Sequence, residues 1–254
     1  MLNPQSLEKM KRLFRLLAVA AVVAGLAACN GGQKGQNDCC KDGGKAECCQ
    51  QENGKCCGQP SDKPACCQGE QKGACCKPMT FDEVVASRRS VRSYDGSKTI
   101  SEAQVREVLA AAQEAPSWIN YEPAKYYVAM SAGKIAAVKE AVGRNKDRLD
   151  GVSALIVSTF ERSKSGFVDG VQRDPIGDIW GGHDCGLSTA FLILKARAMG
   201  FDTLIMGGRD ADALRATFSI PENETVMAVI ALGYRKGEPQ RPERRPFDEV
   251  VKFF

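Results

Sequence analysis

From Asn30 to Pro78 the chain holds no Leu, Ile, Val, Phe, Trp, Tyr or Met, so nothing in this stretch can build a core. A packed fold must therefore come from residues 79–254, a length that suits one domain. The core-free stretch does hold ten cysteines as five adjacent pairs: Cys39-Cys40, Cys48-Cys49, Cys56-Cys57, Cys66-Cys67 and Cys75-Cys76. Neighbouring Cα atoms lie about 3.8 Å apart, so a disulfide inside a pair is strained. Disulfides between pairs are feasible, and two adjacent thiolates also suit a soft ion such as Cu(I) or Zn(II). A cross-linked spacer and a metal-binding or thiol-redox array both fit this pattern, and connectivity does not follow from spacing.

Ahead of this stretch lies a short leader. Lys9, Lys11, Arg12 and Arg15 precede an uncharged apolar run from Leu16 to Ala28. That is the layout of a secretory signal, too short for a membrane span. Leu26-Ala27-Ala28-Cys29 resembles the bacterial lipobox, which implies cleavage before Cys29 and lipidation of its sulfur. Met10 begins a leader of more usual length. The expected organisation is a signal peptide over 1–28, a lipidated flexible tether over 29–78 and a folded domain over 79–254. The expected location is the bacterial cell envelope, facing the periplasm or the exterior. The formal net charge of +4 belongs to the leader and tether, because residues 79–254 balance 24 basic against 24 acidic side chains. A neutral domain argues against nucleic acid as a partner.

Within 79–254 the pattern is mixed. Thr80/Glu83 and Ser101/Gln104 fit capping boxes. After Ser101, Val105, Val108, Leu109 and Ala112 share one helical face. Ile135, Val138 and Val142 predict a helix closed near Gly143, and Asp210 to Phe218 a short one. Tyr126–Met130, Val152–Thr159, Thr203–Met206 and Val226–Leu232 read as strands. The segment from Leu187 to Ala198 is a helix apolar on most sides, hence central, with Gly200 as its C-cap. Glu161 to Asp184 lacks periodicity and reads as a functional loop. Strands separated by helices predict an α+β sheet covered by helices.

Three separated stretches carry chemistry. Arg88-Arg89-Ser90-Val91-Arg92 groups cations and a hydroxyl suited to a phosphate and an electron-rich ring. Ala115-Pro116-Ser117-Trp118-Ile119-Asn120 follows the capped helix, with Glu122-Pro123 beyond it. Gly207-Gly208 follows a strand, where absent side chains let backbone N–H groups approach a ligand, and Arg244-Arg245-Pro246 lies near the C-terminus. His183, the one histidine, reads as a packing or capping residue, and Cys185 as an inert core thiol. Trp118, Tyr121 and Trp180 can stack on an aromatic ligand or pack in the core.

In order and spacing these motifs resemble the nitroreductase-like flavoprotein family. Arg88, Arg89, Ser90, Arg92 and Tyr94 match its first motif, and Ala115, Pro116, Ser117, Asn120, Glu122 and Pro123 its second. Asp184 to Gly200, Gly207-Gly208 and the stretch from Arg244 follow in register. The resemblance implies an α/β/α sandwich with a mixed, mostly antiparallel sheet in an intertwined homodimer, and FMN as cofactor. It implies NAD(P)H or another electron donor, and a small electrophile such as a nitroaromatic or quinone as acceptor. Arg88, Arg89, Ser90 and Arg92 would contact the flavin phosphate and pyrimidine edge. Pro116, Ser117 and Asn120 would lie along it from the other subunit, Gly207 and Gly208 near its reactive nitrogen, and Arg244 on its phosphate. No side-chain acid is required, because the flavin carries the chemistry. One departure concerns shape: the family often has an aromatic after the second motif's proline, where this chain has Ala124. NAD(P)H is scarce outside the cytosol, so for an exported enzyme the sequence also suggests electrons from a membrane quinol or a partner, with the cysteine pairs as relay.

Overall fold

The computed structural model describes residues 78–254. The signal segment, Cys29 and the ten paired cysteines lie outside the described residues. The first two helices start where sequence predicts. Helix α1 (Phe81–Ser87) is capped by Thr80, whose hydroxyl accepts from Glu83 N while its own N–H donates to the Glu83 carboxylate at 2.7 Å. Helix α2 (Glu102–Gln113) repeats the arrangement with Ser101 and Gln104, and buries Val105, Val108 and Ala112. Each box satisfies two otherwise orphaned amides.

Four strands form the sheet: β1 (Ala124–Ala129), β2 (Ala154–Glu161), β5 (Asp202–Met206) and β6 (Glu224–Gly233), in the order β1-β2-β6-β5. Every pairing among the four strands is antiparallel, and the single bridge Ser90–Thr203 adds a parallel element at the β5 edge, which makes the mostly antiparallel sheet expected. Strand β2 is buried from Ala154 to Phe160, which explains its unbroken apolar pattern. Alternate residues serve opposite faces. Leu155, Val157, Val229 and Ala231 pack under helices α3 (Ala132–Glu140) and α5 (Ala211–Phe218). Ala154, Ile156, Ile230 and Leu232 pack under α2 and α4 (Ile179–Ala198). These are the two helical layers of the expected α/β/α sandwich.

Three expectations change. The helix predicted to close near Gly143 ends at Glu140, and a 3₁₀ stretch, Gly143–Arg148, follows it. The functional loop over 161–184 is shorter and partly ordered: a small hairpin pairs β3 (Phe167–Val168) with β4 (Val171–Gln172), and α4 begins at Ile179. Its turn residues Asp169 and Gly170 both have positive φ, the twist a two-residue hairpin needs. The third concerns α4, which packs on the sheet and on both α1 and α2, as a central helix should, but leaves Ile179 and Phe191 on its outer face exposed. Its C-terminus follows expectation: Gly200 sits at φ 84° and Phe201 N donates to Ala196 O at 2.8 Å. A last short helix, α6 (Phe247–Val250), lies beyond an exposed stretch.

Candidate active site

The first half of the site lies on the β5 edge. Val91 N donates to Thr203 O at 3.0 Å, which lays Ser90 against β5, the strand that leads into Gly207 and Gly208. Ser90 and Arg92 are exposed there. Arg89 donates from Nη1 to Ala86 O and Arg88 O, while its buried Nε has no partner. Burial, together with the guanidinium groups of Arg241, Arg235 and Arg88, lowers its pKa. A crowd of like charges around a half-satisfied guanidinium favours an anion. The edge is anchored by buried Asp202, which accepts two bonds from Arg235, at 2.6 and 2.8 Å, and pairs with Arg197 at 3.4 Å.

A cleft of about 730 Å³ opens beside Gly208. Gly143, Asn145, Arg148, Gly208 and Arg209 line it. A Cβ at Gly207 would meet nothing within 4 Å, and one at Gly208 only the Asn145 amide at 3.8 Å, so both glycines border open space. Arg209 binds Gly207 O through Nη1 and leaves its Nε buried and unpaired. Asn145 and Arg148 were not singled out by the sequence. Their signal, a polar and basic run after Gly143 at φ 52°, reads locally as a helix end. Arg244 is exposed and lines neither of the two clefts described here.

Pro116, Ser117 and Asn120 lie elsewhere, before β1. The order β1-β2-β6-β5 puts them at the opposite edge of the sheet from Ser90 and Gly207, three strand spacings or roughly 14 Å away. One chain therefore does not unite the two halves. The second half is a strained turn. Ile119, Asn120 and Glu122 take φ of 48°, 58° and 48°, a region that is costly for a β-branched residue such as Ile119. Local bonds hold it: Ser117 Oγ accepts from Glu122 N at 2.9 Å, and Asn120 Nδ2 donates to Glu122 Oε1 at 3.0 Å. A second tie comes from α4. Buried Asp184 accepts from Trp118 N at 3.0 Å and from Ser165 Oγ at 2.6 Å, both through Oδ2. Its Oδ1 lies 3.3 Å from His183 Nδ1.

The aromatic residues pack on one another. The rings of Trp118 and Trp180 are 5.0 Å apart, and Trp180 meets the His183 ring edge-on at 5.1 Å. Both indole N–H groups are buried without a partner. His183 leaves half its side chain exposed. Tyr121 is exposed. Cys185 is buried and donates to Thr159 O, and burial pushes its thiol pKa up to about 11. A thiol so raised is inert. On the other side of Pro116 and Ser117, a second cleft of about 400 Å³ reaches Ala124.

Residues 85–234 match the sequence model of the Nitroreductase family. A protein of Archaeoglobus fulgidus carrying the name NADH dehydrogenase/NAD(P)H nitroreductase is 31% identical over 160 residues, spanning 61% of this chain and 86% of its own. YdgI of Bacillus subtilis, named as an NAD(P)H nitroreductase, is 24% identical over 206 residues, spanning 70% and 99%. A nitroreductase of Exiguobacterium sibiricum, solved in complex with FMN, shares the fold with a TM-score of 0.63 at 21% identity, covering 69% of this chain and 98% of that one.

Proposed function

The chain belongs to the nitroreductase family, and from that premise we propose that it is an FMN-dependent oxidoreductase which takes electrons from NAD(P)H and delivers them in pairs to a small electrophile. A nitroaromatic, a quinone or a similar acceptor fits this reading. The observation that carries it is the cleft beside Gly208, just beyond β5, the edge strand against which Ser90 of the first motif is laid. Relatives named for NAD(P)H and a structural neighbour holding FMN support the cofactor and donor.

The residues present fit a flavin. Bound FMN supplies the two-electron carrier. Arg88, Arg89, Ser90, Arg92 and Arg244, none of which lines the cleft beside Gly208, would hold its phosphate and pyrimidine edge from outside that cleft. Gly207 and Gly208 admit the ring to their backbone. Arg148 Nη1 donates to Asn145 Oδ1 at 2.9 Å, which leaves the Asn145 NH₂ to donate, and Arg148 and Arg209 would place fixed positive charge where reduction builds negative charge. Pro116, Ser117 and Asn120 cover the ring from a second copy, because one chain separates them from the arginines. The outer face of α4, with Ile179 and Phe191 exposed, supplies apolar surface for that homodimer. Cys29 anchors the enzyme to the bacterial envelope, a reading supported by the basic leader, the apolar run and the lipobox-like sequence.

The purified full chain should show the absorbance of oxidised flavin, bleached by NAD(P)H and restored by an acceptor. A folded, colourless protein that FMN cannot reconstitute would overturn the reading and leave the paired cysteines, as a metal or thiol-redox array, as the place to look. The anchor is tested separately: Cys29→Ala should release the protein from membranes and abolish labelling by radioactive palmitate.

A further inference from the structure

The cleft beside Gly208 holds one more cation than the flavin reading uses. Three arginines line it, Arg144, Arg148 and Arg209, against two acids, Glu140 and Asp210. Both acids are engaged. Glu140 pairs with Lys146, and Asp210 Oδ1 caps α5 by accepting from Ala213 N at 3.0 Å. Arg209 spends both terminal nitrogens on backbone, at Gly207 O and Val226 O. Arg148 is tied to Asn145, three residues away in the 3₁₀ stretch Gly143–Arg148, where such a spacing puts two side chains on one side. Arg144 falls outside that pair. It is exposed, and among the described residues its guanidinium has neither a hydrogen-bond nor a carboxylate partner. Residues 79–254 balance 24 basic against 24 acidic side chains, so this local surplus comes from placement and not from composition. An open guanidinium on the wall of a positive cleft favours an anionic oxygen group over its neutral counterpart, through its charge and its parallel N–H donors. The cleft's volume, about 730 Å³, lies in the range of small-molecule sites, about 300–1,000 Å³.

We propose that Arg144 makes this cleft charge-selective: of two matched substrates it favours the one that carries an anionic oxygen group, a phosphate on the electron donor or a carboxylate on the acceptor. The proposal rests on the reductase reading, which sets the flavin beside Gly208 and leaves its phosphate to the first motif and Arg244. Arg144 takes no part in electron transfer. Its contact is the same before and during the reaction, so it acts on KM and leaves kcat alone.

The test uses the full-length, FMN-loaded protein and two matched pairs. NADPH and NADH differ by one phosphate, and 4-nitrobenzoate and 4-nitrobenzyl alcohol differ by one charge at similar size. Two readouts are taken: KM during turnover, and Kd by calorimetry without reduction, with NADP⁺ and NAD⁺ standing in for the donors. In at least one pair the anionic member should have the lower KM and Kd, by about threefold to tenfold at low salt, and the advantage should shrink in about 0.5 M NaCl. The pair that shows it tells a donor phosphate from an acceptor carboxylate. Arg144→Ala should abolish the advantage, Arg144→Lys should keep part of it, and Arg144→Glu should reverse it. Equal behaviour within both pairs overturns the proposal, as does an Arg144→Ala effect of the same size on both members. An Arg144→Ala protein that instead loses FMN affinity, with the preference intact, overturns it by giving this guanidinium to the flavin phosphate. Turnover without charge preference keeps the reductase and sinks the proposal. Charge-selective Kd values without any turnover keep Arg144 as an anion site and sink the reductase.

Discussion

Replacing Asp184 by Ala is the sharpest test of how the turn before β1 is held. The carboxylate is buried and accepts from the Trp118 amide at 3.0 Å and the Ser165 hydroxyl at 2.6 Å. Hydrogen bonds to a charged group contribute about 1.5–3 kcal/mol each, so the two together contribute about 3–6 kcal/mol. Against this, removing a buried charge relieves a desolvation cost of several kcal/mol, part of which its bonds already offset. A net loss of about 3 kcal/mol follows, because the Trp118 N–H and Ser165 O–H are left without an acceptor. For a domain of this size that lowers Tm by about 6–12 °C. Urea titration should show a lower midpoint with an unchanged slope. Asp184→Asn keeps one acceptor oxygen and should recover part of the loss. Tryptophan emission should also shift in the folded Ala variant, since Trp118 loses its backbone anchor. An Asp184→Ala protein within about 0.5 kcal/mol of the parent, with unchanged emission, would refute the idea that this carboxylate fixes the turn.

Other expectations follow from particular contacts. Gly181→Ala places a Cβ 2.4 Å from the Phe160 ring, and should cost about 1–3 kcal/mol by overpacking, relieved by Phe160→Leu in a double-mutant cycle. Arg235→Leu strips Asp202, whose side chain is 1% exposed, of its two-bond partner, and should destabilise by about 3–5 kcal/mol in the same urea assay. Burial and the Glu224 carboxylate raise the Tyr127 phenol to about 12. Since its folded pKa lies above the unfolded value near 10, stability is full below pH 10 and falls as pH rises towards 12. Tyr127→Phe should flatten that fall in thermal melts across the window. Arg148→Ala and Asn145→Ala should each weaken FMN binding on the order of tenfold, by fluorescence titration, while urea midpoints stay put.

Local chemistry was legible and long-range chemistry was not. The helix starts at Thr80 and Ser101 could be read because a capping box lies within four residues. Strands β2 and β6 could be read because burial on both faces leaves an unbroken apolar run. The small hairpin after Glu161 carried a signal, Asp169-Gly170 between two valines, but two-residue strands give period-2 patterning nothing to act on. The motif residues could be located and their partition could not. That Arg88–Arg92 and Pro116–Asn120 fall on opposite sheet edges depends on the strand order, which no single stretch encodes. Asn145 and Arg148 enter the cleft because the chain after α3 returns beside Gly208, a contact across some sixty residues. Helix α4 could be read as central, since it packs on the sheet and on α1 and α2, but its apolar outer residues Ile179 and Phe191 find no cover within one chain.

Several departures from the ordinary rules of folding lie close together, although Arg89 and Arg209 also bury an Nε without a partner at the opposite edge of the sheet. Beside β1 and the start of α4, Ile119 sits at positive φ, two indole N–H groups are buried without acceptors, and Ile179 and Phe191 face solvent. Each is unfavourable for an isolated chain. Strain that the surrounding contacts over-determine, as Asp184 does for this turn, marks a site shaped for something other than stability. A second copy laid against α4 would cover the exposed apolar residues and bring one chain's turn to the other's arginine edge. That single step accounts for the apolar outer face and for the divided motif together. A monomer that bound and turned over flavin would leave both unexplained, so sedimentation of the FMN-loaded protein bears directly on whether the separated halves form one site.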